Sequence, residues 1–162
     1  MDKKKKDRRY PEIKELSEAG IDSFSIFIKE VFQESPEAMW YERLPTESEL
    51  NTLFNAKLDG CRSGSVIDLV YLSNGKLLCE CEIVRMDKQK AIVGIITKDE
   101  GKGTGISDML LQSAEEKAKD MGIKELFAEI KPANRRAIDF FKRNGFRQVN
   151  SSRSLVTLTK GL

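Results

Sequence analysis

Three features of this 162-residue chain bear on chemistry: a glycine-rich turn, a set of carboxylates and the absence of histidine. Gly101-Lys102-Gly103-Thr104-Gly105 places three glycines in five residues, between a predicted strand and a predicted amphipathic helix. Glycine admits positive φ and close backbone approach. The first amides of a helix lack internal partners, and with the helix dipole they can seat an anion such as a pyrophosphate. Lys102 adds charge. The spacing is not that of the Gly-x-x-x-x-Gly-Lys-Ser/Thr loop. Nor is it the Gly-x-Gly-x-x-Gly fingerprint, since the third glycine position falls on Ile106 or Asp108. On its own, such a turn could equally do no more than lead the chain into a helix. The missing histidine removes Ser-His and Cys-His nucleophilic catalysis. Proton transfer is left to Glu, Asp, Lys, Tyr, Cys, a terminal group or water.

Cys61, Cys79 and Cys81 are too few, and odd in number, for a disulfide framework. Without histidine to complete a ligand set, no metal site is expected, and the thiols should be free and buried. Hydrophobic residues make up 40% and charged residues 33% of the chain, as in one water-soluble domain. Lys3, Lys4, Lys5, Lys6, Arg8 and Arg9 against Asp2 and Asp7 give the first nine residues a charge of +4. The whole chain carries +2, so the remainder carries −2. Residues 1–9 are therefore expected to be a disordered basic tail before a single domain over 10–162. The domain should bind neither DNA nor membranes, and the tail offers at most a contact with RNA or ribosomes. No apolar run follows the basic residues, so the expected compartment is the cytoplasm.

A scaffold for the turn can be read from periodicity. A strand over 11–16 precedes a helix over 21–32 with Ile21, Phe24, Ile28 and Val31 at helical spacing. After a loop over 33–45, Thr46 to Glu49 is a capping-box start for a second helix, which Gly60 should end. Strands over 66–72 and 77–85 flank an Asn74-Gly75 hairpin turn. A third strand over 91–97 reads as apolar on both faces and buried, with Gly94 marking a bulge or the close approach of a backbone or ligand. A helix over 104–121, a strand over 126–130, a helix over 134–144 and a hairpin of 146–149 with 155–159 complete the order β-α-α-β-β-β-α-β-α-β-β. This is a mixed α/β sheet.

The stretch from Gly94 to Phe146 resembles the Gcn5-related N-acetyltransferase (GNAT) superfamily. Glu100-Gly101-Lys102-Gly103-Thr104-Gly105 is similar to its Arg/Gln-x-x-Gly-x-Gly/Ala loop. Glu129-Ile130-Lys131-Pro132-Ala133-Asn134 resembles its fifth-strand ending. Ala137 to Phe146 resembles its fourth-helix signature, Ala-x-x-x-Tyr-x-x-x-Gly-Phe. The likeness is nearest in flavour to ribosomal-protein N-terminal acetyltransferases. It implies a mostly antiparallel mixed sheet whose fourth and fifth strands splay apart, and acetyl-CoA as co-substrate. The pantetheine arm would pair with Ile95, Ile96 and Thr97. Glu100, Gly101, Lys102, Gly103, Thr104, Gly105, Ile106 and Ser107 would hold the pyrophosphate. Asn134 and Phe141 would lie beside the coenzyme, and Lys102, Arg136, Lys142 or Arg143 near its 3′-phosphate. The implied activity is transfer of an acetyl group to a primary amine of a small molecule or protein, by direct attack in a ternary complex.

Direct attack needs a base, and Glu129 matches the strand-five glutamate that the resemblance assigns to that role. A backbone N–H at Gly94 or Ile95 would stabilise the developing oxyanion. The chain departs from the pattern in three places. Phe141 occupies the usual tyrosine position and cannot donate a proton, so water, a substrate group, Tyr10, Tyr41 or Tyr71 would have to. Glu100 replaces Arg/Gln, bringing charge that repels phosphate. The usual strand-four glutamate falls near Ala91. A non-catalytic acyl-CoA-binding or sensor protein is the alternative that the missing tyrosine favours. Residues 34–49 are expected to select the acceptor through Trp40, Tyr41 and Glu42, with Trp40 tucked into the core as the competing reading. Glu80 and Glu82 are expected to be exposed and paired with lysines, or else to line an amine pocket. The oligomeric state, a homodimer included, is left open.

Overall fold

The computed structural model describes residues 12–162; the basic segment 1–9 and Tyr10 lie outside the described residues. The element order is the expected one. It runs β1 (Ile13–Glu15), α1 (Leu16–Glu34), α2 (Glu47–Ser63), β2 (Val66–Ser73), β3 (Lys76–Arg85), β4 (Lys90–Thr97), α3 (Ile106–Asp120), β5 (Glu125–Ile130), α4 (Arg135–Arg143), β6 (Arg147–Ser151) and β7 (Val156–Gly161). Short 3-10 turns at Pro36–Ala38 and Asp99–Gly101 sit in the two loops that matter for the site. The strands form one seven-stranded sheet in the order β1-β2-β3-β4-β5-β7-β6. Every pairing is antiparallel except β4 with β5.

Both faces of the sheet are covered, each by its own core. Phe24, Phe27, Ile28 and Val31 of α1 and Leu50 and Phe54 of α2 pack on Val70 and Leu77. On the opposite face, Leu110, Leu111, Ala114 and Ala118 of α3 and Ile138, Phe140 and Phe141 of α4 pack on Cys79, Cys81, Val93, Leu126, Ala128 and Leu158. The strand residues alternate between the two cores as the pleat requires. Cys79 and Cys81 are free and fully buried as expected, whereas Cys61 is free but only partly buried; burial pushes the Cys79 thiol up to about 12.

Several boundaries differ from the sequence reading. The first helix begins at Leu16 rather than residue 21, with a reciprocal capping box between Glu15 and Glu18. Gly20, at φ 78 and ψ 164, breaks it just before the predicted start. The Thr46–Glu49 capping box is present, but Gly60 does not end α2; Gly64 does, in the left-handed conformation. Gly94 makes no bulge, since β3 and β4 pair in unbroken register from Cys79↔Thr97 to Arg85↔Ala91. The irregularity lies instead between Tyr71 and Leu72. There Leu78 becomes an extra residue on β3 and turns to the α3 side. Nor is β4 buried throughout: Ala91 and Val93 are, but Gly94 is exposed.

Gly60 is required by packing. A Cβ there would lie 2.5 Å from Cγ2 of Val66, where the chain leaves α2 and enters β2. Gly60→Ala should therefore lower the unfolding free energy by about 1–3 kcal/mol through overpacking. Adding Val66→Ala should recover part of the loss, so the double variant falls short of the sum of the singles in urea unfolding.

Candidate active site

The site starts from a pairing that stops. β4 and β5 are in parallel register for three pairs only, Lys90↔Glu125, Ala91↔Leu126 and Ile92↔Phe127, and then separate. In an antiparallel ladder, hydrogen-bonded pairs alternate with non-bonded ones. The Lys98 N–H donates to Leu78 O, and the Met86 N–H donates to Lys90 O, both at 2.9 Å. The even-numbered residues of β4 therefore turn their backbone groups to β3. Val93, Ile95 and Thr97 turn theirs to β5, which has left. Of the expected coenzyme-pairing residues, Ile95 and Thr97 thus offer backbone to the gap, while Ile96 is committed to β3. Of the two oxyanion candidates, Ile95 faces the gap and Gly94 does not.

At one end the gap meets a cavity of about 840 Å³ at the mouth of α3. Lys102, Gly103, Gly105 and Ser107 line it from the loop, with Asn134, Arg136 and Arg143 opposite. Gly103 (φ 74) and Gly105 (φ 86) take conformations that favour glycine. Gly105 is the N-cap of α3, and no side chain caps the helix, so its first-turn amides are available to an anion. Gly101 serves packing, because a Cβ there would meet Ile106 Cδ1 at 2.6 Å. The helix starts at Ile106, after Thr104, whose hydroxyl donates to Gly101 O. Glu100, Gly101, Thr104 and Ile106 do not line the cavity. Glu100 is paired with Lys76 at 2.7 Å and Lys98 at 3.5 Å, and the Lys76 contact holds its carboxyl below the usual range. The expected repulsion of phosphate is thereby offset. Lys102 is held by Asp99 at 2.7 Å and by the Ser35 hydroxyl at 2.8 Å. Lys142 lies off the cavity.

At the other end lies a cavity of about 320 Å³ lined by Trp40, Tyr41, Glu80, Glu82, Gly94, Ile95, Glu129 and Phe141 among others. Glu129 is exposed near the end of β5. Phe141 is buried, edge-on to Phe140 and Phe146. Trp40 is 60% exposed and not in the core; the Lys131 ammonium sits 5.2 Å from its ring centre and donates to Met39 O. Glu42 is exposed and does not line the cavity. Of the two described tyrosines proposed as proton donors, Tyr41 lines the cavity, with burial raising its hydroxyl pKa above the usual value. Tyr71 packs against the α3-side core.

Residues 18–146 match the model of the acetyltransferase (GNAT) family. The chain belongs to that family. No curated protein gives a significant match, but solved structures do. The ribosomal-protein-alanine N-acetyltransferase of Brucella melitensis is 19% identical with a TM-score of 0.77, over 93% of this chain and 99% of that one. The PaiA N-acetyltransferase of Thermoplasma acidophilum, solved with coenzyme A, is 18% identical with a TM-score of 0.73, over 93% and 98%. A phosphinothricin acetyltransferase of Sinorhizobium meliloti, solved with acetyl-CoA, is 17% identical with a TM-score of 0.73, over 93% and 87%. These likenesses establish the GNAT fold, with its splayed fourth and fifth strands. Among the described residues no helix is long and apolar enough to cross a membrane.

Lining the smaller cavity of this GNAT fold is a buried cluster whose Lys57 and Asp68 the sequence reading missed. The Lys57 ammonium, on α2, donates to Glu80 Oε1 and Glu82 Oε2 at 2.8 Å each and to Asp68 Oδ2 at 3.3 Å. Asp68 and Glu80 are each 2% exposed; Glu80 and Glu82 pair with a lysine as expected, but Glu80 is buried rather than exposed. Two signals were available. Asp68 interrupts an otherwise apolar run, and Lys57 falls at helical spacing from Leu50, Leu53 and Phe54 on the buried side of α2. Burial, and then Glu80, push the Asp68 carboxyl well above its ordinary value. The folded chain therefore keeps a proton that the unfolded chain releases above about pH 3.9. The stability linked to that proton is full below this pH and is lost as pH rises toward the folded value. Asp68→Asn should flatten this dependence. In urea unfolding from about pH 4 to about pH 8, the variant should gain steadily on the parent chain.

Proposed function

We propose that the chain is an acetyl-CoA-dependent N-acetyltransferase that acylates a primary amine in a ternary complex. The observation that carries this reading is the continuity of one passage. It runs from the uncapped amides at the start of α3, along the Ile95 and Thr97 edge of the β4–β5 gap, to Glu129 in the acceptor cavity. The residues present fit the coenzyme. Helix-start amides, Arg136 and Arg143 suit phosphates, and an unpaired strand edge suits the amide-bearing pantetheine arm. Acetyl-CoA supplies an activated acyl group as a thioester.

The rest is the work of the chain. An alkylamine with a pKa near 10.4 is almost wholly protonated at neutral pH and cannot attack. Glu129, in the acceptor cavity, accepts that proton directly or through water. The Ile95 N–H, turned to the gap, faces the place where oxygen charge develops. Phe141 donates no proton. Tyr41 lines the same cavity and stays protonated at neutral pH, so its hydroxyl can supply one to the departing thiolate.

Thiol release from acetyl-CoA with a panel of amines and peptides tests the activity. Glu129→Gln should lower kcat by roughly 100-fold or more, the usual worth of a general base, with the acetyl-CoA Kd from calorimetry unchanged. An unchanged kcat would remove Glu129 from the mechanism. Tyr41→Phe should cut kcat about tenfold or more while leaving coenzyme affinity intact; full activity would assign the proton to water. The buried Phe141 favours a second reading, a coenzyme-binding protein without turnover. Binding of acetyl-CoA without thiol release for any amine would select it.

A further inference from the structure

The charged side chains lining the acceptor cavity are unbalanced. Glu37, Glu80, Glu82 and Glu129 face Lys57 and Lys131. The excess is concentrated at the Lys57 cluster, where one ammonium meets three carboxylates. A proton on Asp68 can be shared with Glu80, yet Glu80 and Glu82 still answer to a single cation. Glu80 is 2% exposed, lines the cavity, and is held by Lys57 at Oε1 and by a hydrogen bond with Asp68. Two carboxylates that share one ammonium keep an excess negative charge, which a further cation in the cavity would offset.

The sheet register places this cluster in line with the base candidate. Glu82 lies directly opposite Gly94. Extending the β4–β5 register two residues past Ile92↔Phe127 brings Gly94 level with Glu129. Leu126, Ala128 and Ile130 of β5 point into the α3-side core, so Glu129 shares the other face with Glu82 and Gly94. The three residues form a row across three strands, and the middle one has no side chain. A Cβ at Gly94 would meet nothing within 4 Å, so the floor between the two carboxylates is open. Two strand spacings set them about 10 Å apart at the backbone, and the splay adds to that. The room left between the carboxylates suits a short carbon chain with a nitrogen at each end.

We propose that the acceptor is a dicationic amine. Its reacting nitrogen lies at Glu129 and its distal ammonium is seated by Glu82 and the buried Glu80, with the alkyl chain crossing Gly94. This rests on the transferase reading above. It adds a subsite that selects a second positive charge, for which a charge-assisted hydrogen bond provides the energy.

The test compares putrescine with n-butylamine, which has the same carbon chain and one fewer ammonium. The full chain is assayed with acetyl-CoA, and each amine is titrated by calorimetry into the chain saturated with coenzyme A. Putrescine should show a kcat/KM and an affinity roughly 10–100-fold higher, the size of one charge-assisted contact. Glu82→Gln and Glu80→Gln should each bring both ratios toward one. Glu82 is partly exposed, so its variant is read even if the buried Glu80 variant does not fold. Equal handling of the two amines, no binding of either, or a preference that survives in the folded variants overturns the subsite. If putrescine alone binds and Glu82→Gln abolishes that binding, but neither amine is acetylated, the transferase reading falls and the subsite stands.

Discussion

The site exists because two parallel strands pair for three residues and no further. Had β4 and β5 stayed together, Val93, Ile95 and Thr97 would have spent their backbone groups on the ladder, as buried strands do. Their separation leaves a polar edge inside a mostly apolar fold. The surroundings keep that edge open: β7 runs alongside β5 over its whole length, and Phe141 of α4 fills space beside the gap. The three-glycine loop and the start of α3 lie at the other end of this edge, so the uncapped helix amides and the unpaired strand backbone meet at one interruption.

A second constraint is electrostatic. Placing Asp68 and Glu80 under a helix costs several kcal/mol per ion unless partners complete them, and Lys57 is the partner. The arrangement ties α2 to β2 and β3 by charge as well as by Phe54 and Leu50. It also leaves the smaller cavity net acidic. Carboxylates outnumber ammonium groups four to two around the smaller cavity, whereas the larger one is lined by three charges of each sign.

Much of the fold could be read from local chemistry. Asn74-Gly75 forms the hairpin turn with positive φ at both residues, and the Thr46–Glu49 box opens α2. The parting of β4 and β5 was implied by family resemblance, not by periodicity. What escaped was non-local. Gly60 reads as a helix stop, but its role is set by Val66 across a turn. Gly94 reads as a bulge or as a place of close approach, and only the β3–β4 register rules out the bulge. The acidic cluster needs three elements superposed before Lys57, Asp68, Glu80 and Glu82 meet. Trp40 and Glu42 are adjacent in sequence and close in chemical promise, yet one lines the cavity and the other does not. Backbone direction after the Pro36–Ala38 turn decides that, and no spacing rule reports it.

The segment before Trp40 is also fastened to the phosphate loop. The Asp99 N–H donates to Glu34 at 2.8 Å, Lys102 donates to the Ser35 hydroxyl, and Lys98 pairs with Glu30. Three consecutive attachments join the end of α1 to the stretch that leads into α3. Whatever steadies that stretch steadies Ser35 and, with it, the turn from which Trp40 and Tyr41 emerge. The two mouths of the passage are thereby tied together through one set of side chains as well as through the sheet.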